Sequence, residues 1–102
     1  DNPDVKAIVT TNSAIGLHAM KAARSLNLHV PNDLSIVCFD DYAHAELSDV
    51  PLTFINQDEK KMGYEAAKLV LSLIKEPTQD RRNIVLPNKL VIRKSTTSPA
   101  PA

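Results

Sequence analysis

The chain has 102 residues, of which 43% are apolar, so it can form one small domain with its own core. Twelve basic and twelve acidic residues balance to a net charge of zero, which gives no electrostatic reason to expect direct binding to nucleic acid. No apolar run reaches the roughly 18 residues of a membrane-spanning helix.

The first predicted elements are a strand and a helix. Residues 7–10 are predicted to form a short buried strand, and Asn12-Ser13 is a helix-start signal. A helix is predicted over 14–26, and Asn27 follows it where a left-handed residue often ends a helix. The apolar residues of one helical stripe, predicted to face the core, are Ile15, Ala19, Ala22 and Leu26.

A second strand follows a turn. Residues 30–33, Val-Pro-Asn-Asp, are predicted to form the turn. The nearly continuous apolar run 34–39 is typical of a strand covered on both faces, and Asp40-Asp41 ends it. Cys38 lies inside this strand, where a small hydrophobic residue is ordinary. As the single cysteine it excludes an internal disulfide and favours a reducing compartment, the cytoplasm.

The middle of the chain predicts a loop, a strand and a long helix. Residues 42–51 form the loop, with one helical turn at 43–47, and 52–55 form a third strand. A helix is predicted over 59–75, ended by Glu76-Pro77. Its apolar sector covers more than half of the circumference, which predicts burial on two sides. The central stripe consists of Met62, Ala66, Leu69 and Leu73.

Two short strands are predicted near the end, at 84–86 and 90–92, and residues 98–102 form a disordered tail. The order strand–helix–strand–strand–helix–strand–strand predicts an α/β fold with a mostly parallel sheet.

Polar residues follow each of the first three strands. Asn12 follows the first, Asp40 and Asp41 the second, and Asn56 and Gln57 the third. In open α/β sheets ligands bind beyond the carboxyl ends of the strands. A carboxylate accepts hydrogen bonds from sugar hydroxyls, and an amide both donates and accepts.

Two of these residues have a structural alternative. Asn12 can be explained as the cap of the helix that it precedes, and Asp41 as the cap of the turn at 43–47. The residues alone leave these alternatives open.

No catalytic or metal site is predicted. The histidines, His18, His29 and His44, have neither metal-ligand spacing nor a nucleophile beside them. Gly16 and Gly63 are the only glycines, so no glycine-rich phosphate loop is possible. The sequence predicts a protein that is not an enzyme and needs no cofactor.

One apolar group does not fit the predicted core stripe. Leu17 lies about half a turn from that stripe, and Met20 is off-centre. With Leu47 and Val50 from the following loop, these residues predict a surface for a protein partner.

The succession of motifs resembles the LacI/GalR family of transcription regulators. In that family a strand ends in Asn-Asp, and a Val-Pro-x-Asp turn leads to a strand ending Gly-Phe-Asp-Asp. The matching segments here are Asn12-Ser13, Val30-Pro31-Asn32-Asp33 and Cys38-Phe39-Asp40-Asp41. Further matches are Pro51–Gln57, Met62–Ala67 and the closing Leu86–Thr96, which ends Arg-x-Ser-Thr. Each motif is weak alone, but their order and spacing are specific.

The resemblance implies a fragment of a two-lobed, periplasmic-binding-protein-like (type I) effector-binding domain. Residues 1–52 and 88–97 would belong to the C-terminal lobe, 53–57 would cross between lobes, and 58–87 would be a piece of the N-terminal lobe. A helix-turn-helix outside this chain would bind operator DNA.

The resemblance also implies roles for individual residues. The effector contacts fall on Asn12 and Asp40, and Gln57 falls near the hinge and the cleft. The surface for a homodimer falls on Leu17, Met20, Ala45 and Leu47.

Three positions depart from the family pattern. Ser13 replaces the usual Asp, Cys38 the usual Gly, and Asn27 the usual Gly at the helix end. The change at position 13 could alter which ligand group is read, and Cys38 is expected to add a side chain beside the floor of the cleft.

The function predicted from the sequence is effector sensing and dimerisation in a LacI-type repressor of the cytoplasm. The effector is expected to be a small sugar or sugar derivative, with a nucleobase as an alternative. The alternative function is that of a periplasmic sugar-binding protein of a transport system, which shares the fold.

Overall fold

The computed structural model describes residues 3–98. The chain divides into two compact units: the first runs to Asn56 and resumes at Lys89, and the second is Gln57–Asn88. The division falls at the end of the predicted crossing at 53–57. That the two units are pieces of different lobes stays a prediction.

The first unit contains a four-stranded sheet in the order β1-β2-β3-β4. The first three strands are parallel, and β4 is antiparallel to β3. The fold is therefore α/β with a mostly parallel sheet, as predicted. The elements of this unit are β1 (Ala7–Val9), α1 (Ser13–Ser25), β2 (Ser35–Phe39), a 3₁₀ turn (Ala45–Leu47), β3 (Thr53–Asn56) and β4 (Lys89–Val91).

Local signals place the ends of α1. The side chain of Asn12 accepts a hydrogen bond from the Ile15 N–H at 2.8 Å, which caps the first turn. Asn27 has φ 58°, which confirms the predicted left-handed residue after the helix. In the next turn the Asp33 carboxylate accepts a hydrogen bond from the His29 N–H at 2.7 Å.

The buried face of α1 differs from the predicted one. Ile15 and Leu26 from the predicted core stripe are 48% and 69% exposed. The prediction that Leu17 points away from the core is also wrong, because Leu17 packs against the core of the sheet and is half-buried. The residues that α1 turns toward the sheet are Gly16, Leu17, Ala19, Met20 and Ala23.

Close packing explains why this face of α1 lies against the sheet. A Cβ atom at Gly16 would stand 3.0 Å from Leu52 Cδ1 and 3.1 Å from Cys38 Cβ. The helix therefore approaches the sheet at a point where only glycine fits without displacement. The small residues, not the largest apolar ones, decide which side of α1 faces inward.

The sheet is well covered on one face. Ile36, Cys38, Leu52 and Phe54 form a buried cluster beneath α1. On the other face Val9 is 66% exposed, and Val37 and Phe39 of β2 are half-buried. Within the described part of the chain, the predicted cover of β2 is therefore complete on one face and only partial on the other.

A closing segment ties β2 to β3. Ser95 is fully buried, and its Oγ donates to the Ile36 carbonyl and accepts from the Thr53 N–H at 2.8 Å. The Ser95 carbonyl accepts from the Ile36 N–H at 3.0 Å. The Thr53 and Thr96 hydroxyls lie 2.8 Å apart. The segment thus occupies the position before the first direct pair of these strands, Val37 with Thr53.

The second unit is built on α2 (Glu59–Lys75), whose bounds are those predicted. No residue of α2 is buried, so the chain itself does not provide the predicted burial on two sides. Residues 84–86 form no strand, which corrects that prediction, since they pair with no other strand of the described chain. Most of the predicted tail, residues 99–102, lies outside the described residues.

Within residues 3–98, neither helix combines the length and the apolar composition needed to cross a membrane.

Candidate functional site

The parallel strands bring their polar carboxyl ends to one edge of the sheet. The Thr10 N–H, just after β1, donates to the Val37 carbonyl of β2 at 2.8 Å. The Asp40 N–H, just after β2, donates to the Ile55 carbonyl of β3 at 3.0 Å. Asn12, Asp40 and Asp41 therefore follow strand ends at the same edge of the first unit, where ligands of such sheets bind.

Asn12 has a structural role at this edge. Its Oδ1 caps α1, and its carbonyl accepts from the Thr10 hydroxyl at 3.0 Å. The capping interpretation is therefore confirmed. It does not exclude ligand binding, because the cap uses only Oδ1 and the Nδ2 group is still a hydrogen-bond donor.

Asp40 ends β2 in a left-handed conformation with φ 69°. Its side chain is half-buried, and its carbonyl lies 3.6 Å from the Cys38 thiol, which donates to it. The backbone is thus held through both its N–H and its carbonyl. A half-buried carboxylate at this place can accept hydrogen bonds from ligand hydroxyls.

Asp41 does not cap the following turn, so that interpretation is wrong. The 3₁₀ turn has His44 as its N-cap residue, with no capping side-chain hydrogen bond. Instead, Arg93 donates two hydrogen bonds to the Asp41 carboxylate, Nη1 to Oδ1 at 2.8 Å and Nη2 to Oδ2 at 3.1 Å. The Arg93 guanidinium also lies over the Phe54 ring, 4.5 Å from its centroid.

The ion pair between Asp41 and Arg93 is expected to shift the pKa of the Asp41 carboxyl. Hydrogen bonds from Arg93 lower the pKa of Asp41 below its ordinary value of 3.8. A carboxyl with a lowered folded pKa stabilises the fold above its unfolded pKa, and this contribution is lost as the pH falls through the folded value. We expect carbon NMR to give Asp41 a midpoint below 3.8, and Arg93→Met to move that midpoint upward. An equal midpoint in both proteins would contradict the pairing in solution.

Cys38, which replaces the family's usual glycine, turns its side chain into the core beneath α1, and its place relative to the floor of the cleft stays a prediction. Its side chain is 0% exposed and faces Gly16 of α1. Burial raises the pKa of its thiol. The interpretation as a small hydrophobic core residue is therefore confirmed.

Gln57 is half-buried and begins the second unit. The structure thus groups Asn12 and Asp40 within one unit but does not group Gln57 with them. Its contact with an effector stays a prediction.

The residues of the predicted partner surface differ widely in how exposed they are. Leu47 is 78% exposed, whereas Ala45 is 4% exposed and offers almost no surface, because it is buried within its own chain. Leu17 and Met20 are half-buried and line a cavity of about 200 Å³ beside α1. The remaining residues that line it are Lys21, Arg24 and Ser48.

Residues 3–98 contain no group of three or more His, Cys, Asp or Glu side chains that could hold a metal ion.

Sequence reasoning gave no role to Arg93 and Ser95. The structure places Arg93 against Asp41 at the candidate site and Ser95 between β2 and β3. The available signal was the closing Arg-x-Ser-Thr motif, which combines a cation and two hydroxyls with an apolar strand.

Comparison with known proteins identifies the family. The model of the periplasmic binding protein-like domain matches residues 1–96. The transcriptional regulator CelR of Thermobifida fusca is 34% identical over 93 residues, which cover 91% of this chain and 27% of CelR. The chain thus spans about a quarter of that relative.

Solved structures agree with this assignment. A CelR–cellobiose complex has a TM-score of 0.82 at 34% identity, covering 92% of this chain and 29% of that one. A ribose-bound LacI family regulator from Enterococcus faecium has a TM-score of 0.77 at 25% identity, covering 91% and 35%. The lac repressor dimer bound to operator and an anti-inducer has a TM-score of 0.78 at 31% identity, covering 91% and 32%. The chain therefore belongs to the periplasmic binding protein-like domain family, within which it is part of the effector-binding domain of a LacI/GalR-type regulator.

Proposed function

We propose that this chain senses a small sugar for a LacI-type transcriptional repressor, with Asn12 and Asp40 contacting the sugar. The observation that carries the proposal is that both residues follow parallel, neighbouring strands at the same carboxyl edge of the sheet. Solved relatives that hold cellobiose and ribose support the choice of a carbohydrate.

Sugar binding would act on transcription by shifting an equilibrium. The complete protein would exist in forms that bind and do not bind operator DNA, and the effector would favour one of them. DNA contacts would come from a helix-turn-helix outside this chain, and the protein would act in the cytoplasm as a homodimer without a cofactor. Gln57, near the predicted hinge, would add a further contact to the effector.

The regulator is favoured over the transport protein of the same fold because the similar proteins are transcriptional regulators.

Calorimetric titration of the complete protein tests the choice of ligand. Cellobiose and ribose are the sugar probes, and adenine represents the nucleobase alternative. We expect at least one sugar to bind and adenine not to bind. Binding of adenine alone would replace the sugar by a nucleobase, and binding of no probe would contradict the proposal for these sugars.

Self-association is expected to depend on Leu47. The change Leu47→Asp places a charge on a side chain that is 78% exposed in the single chain. If the dimer buries this position, an unpaired charge there is costly, and we expect the dimer to dissociate at least about tenfold more readily in analytical ultracentrifugation. The control Leu47→Met keeps an apolar side chain and should leave the dimer intact. An unchanged dissociation constant for Leu47→Asp would remove this surface from the interface.

A further inference from the structure

The backbone at Asp40 has a conformation that needs external support. A non-glycine residue at φ 69° is uncommon and persists where its surroundings fix it. The Ile55 carbonyl and the Cys38 thiol bond to Asp40 on either side. The next residue, Asp41, is held more strongly, because both of its carboxylate oxygens accept from one guanidinium.

Arg93 is itself fixed to the sheet. Its backbone N–H donates to the Thr53 hydroxyl at 2.9 Å, and its guanidinium lies over Phe54, which is 5% exposed. Its side chain is 23% exposed, against 49% for that of Asp41. Arg93 therefore differs from a surface cation on a free stem, since its backbone, ring contact and two hydrogen bonds define one position.

The Asp41 carboxylate is also tied to the chain that follows. Its Oδ1 accepts from the Tyr42 N–H at 2.8 Å, and the Tyr42 hydroxyl accepts from the Leu52 N–H at 3.0 Å. The turn after β2 is thus anchored on the residue that precedes β3 and on the segment after β4. Loss of the guanidinium would leave the Asp41 side chain without its attachment across the sheet.

We propose that Asp41 and Arg93 are a positioning pair that fixes the left-handed backbone at Asp40 and so sets where the Asp40 carboxylate meets the ligand. This inference rests on the proposed sugar site. It assigns neither Asp41 nor Arg93 a direct contact with the sugar.

Hydrogen–deuterium exchange of the complete protein without ligand tests the positioning. In Arg93→Met the backbone amides of residues 40–42 should exchange at least about tenfold faster than in the unsubstituted protein. Arg93→Lys should give a smaller increase, because an ammonium cannot form the two parallel hydrogen bonds. Arg81→Met, at an exposed arginine of the second unit, should change nothing in this segment. Unchanged exchange in Arg93→Met would overturn the proposal.

Titration with the better of the two sugars, cellobiose or ribose, provides the second measurement. Arg93→Met should weaken binding about tenfold, and it should add little when combined with Asp41→Asn, since both changes break one pair. Full sugar affinity in Arg93→Met beside a loss in Asp40→Ala would also overturn the proposal. If Asp40→Ala itself binds normally, the proposed sugar contact fails, and the exchange rates still decide whether the pair fixes the backbone.

Discussion

Replacing Asp40 with alanine in the complete protein should weaken sugar binding at least about tenfold while leaving operator affinity nearly unchanged. A hydrogen bond to a charged group contributes about 1.5–3 kcal/mol, which corresponds to roughly 10- to 150-fold in affinity. The repressor would then stay on its operator when the sugar is added. Calorimetry with the sugar and anisotropy with the operator measure the two affinities separately.

The left-handed backbone at Asp40 makes a second substitution informative. Asparagine tolerates this conformation better than alanine, so Asp40→Asn removes the charge and keeps the backbone. It should weaken binding too, whereas Asp49→Ala, at an exposed aspartate of the same unit, should not. Asn12→Ala should weaken binding more mildly and also lower stability by about 1 kcal/mol through the lost cap. Normal sugar binding by both Asp40 variants would show that the wrong carboxylate was chosen.

Ser95→Ala should have the largest effect on stability. The change leaves the Thr53 N–H without its partner and removes a donor from the Ile36 carbonyl, both at a fully buried side chain. Leaving a buried polar group unsatisfied costs about 1–3 kcal/mol, so we expect a loss of about 2–4 kcal/mol in the free energy of unfolding. That is a large fraction of the roughly 5–15 kcal/mol by which proteins are stable.

Urea denaturation of the complete protein measures this loss, with Ser98→Ala as the matched control. Ser98 is exposed and lies three residues further on, so its replacement should change stability by less than about 0.5 kcal/mol. Equal midpoints for Ser95→Ala and the unsubstituted protein would mean that the hydrogen bonds of the Ser95 hydroxyl to β2 and β3 do not stabilise the fold.

Local patterns predicted those elements whose signals lie within their own sequence. The helix over 59–75 was predicted to the residue because a polar start, a 3.6-residue apolar period and Glu76-Pro77 all agree. The parallel order of β1 and β2 followed from the crossover of α1, and with it the position of Asn12 and Asp40 after strand ends at the same edge of the sheet.

Predictions failed where a contact distant in sequence decides the outcome. The inward face of α1 depends on the close approach of Gly16 to Leu52 and Cys38, which no periodicity within the helix reveals. Asp41 was interpreted from its neighbours, but its partner Arg93 is 52 residues away. The apolar segment 84–86 has the composition of a strand, yet a strand also needs a neighbour to bond with, and composition cannot supply one.

The enclosure of Cys38 turns this residue into a natural reporter of unfolding. A thiol reacts as the thiolate. Here the raised pKa lowers the population of the thiolate, and complete burial keeps reagents away from the sulfur. A maleimide or a disulfide reagent can therefore reach the sulfur only when α1 lifts from the sheet or the sheet opens. Because the chain has no other cysteine, the rate of labelling would follow this single opening event without any engineered probe.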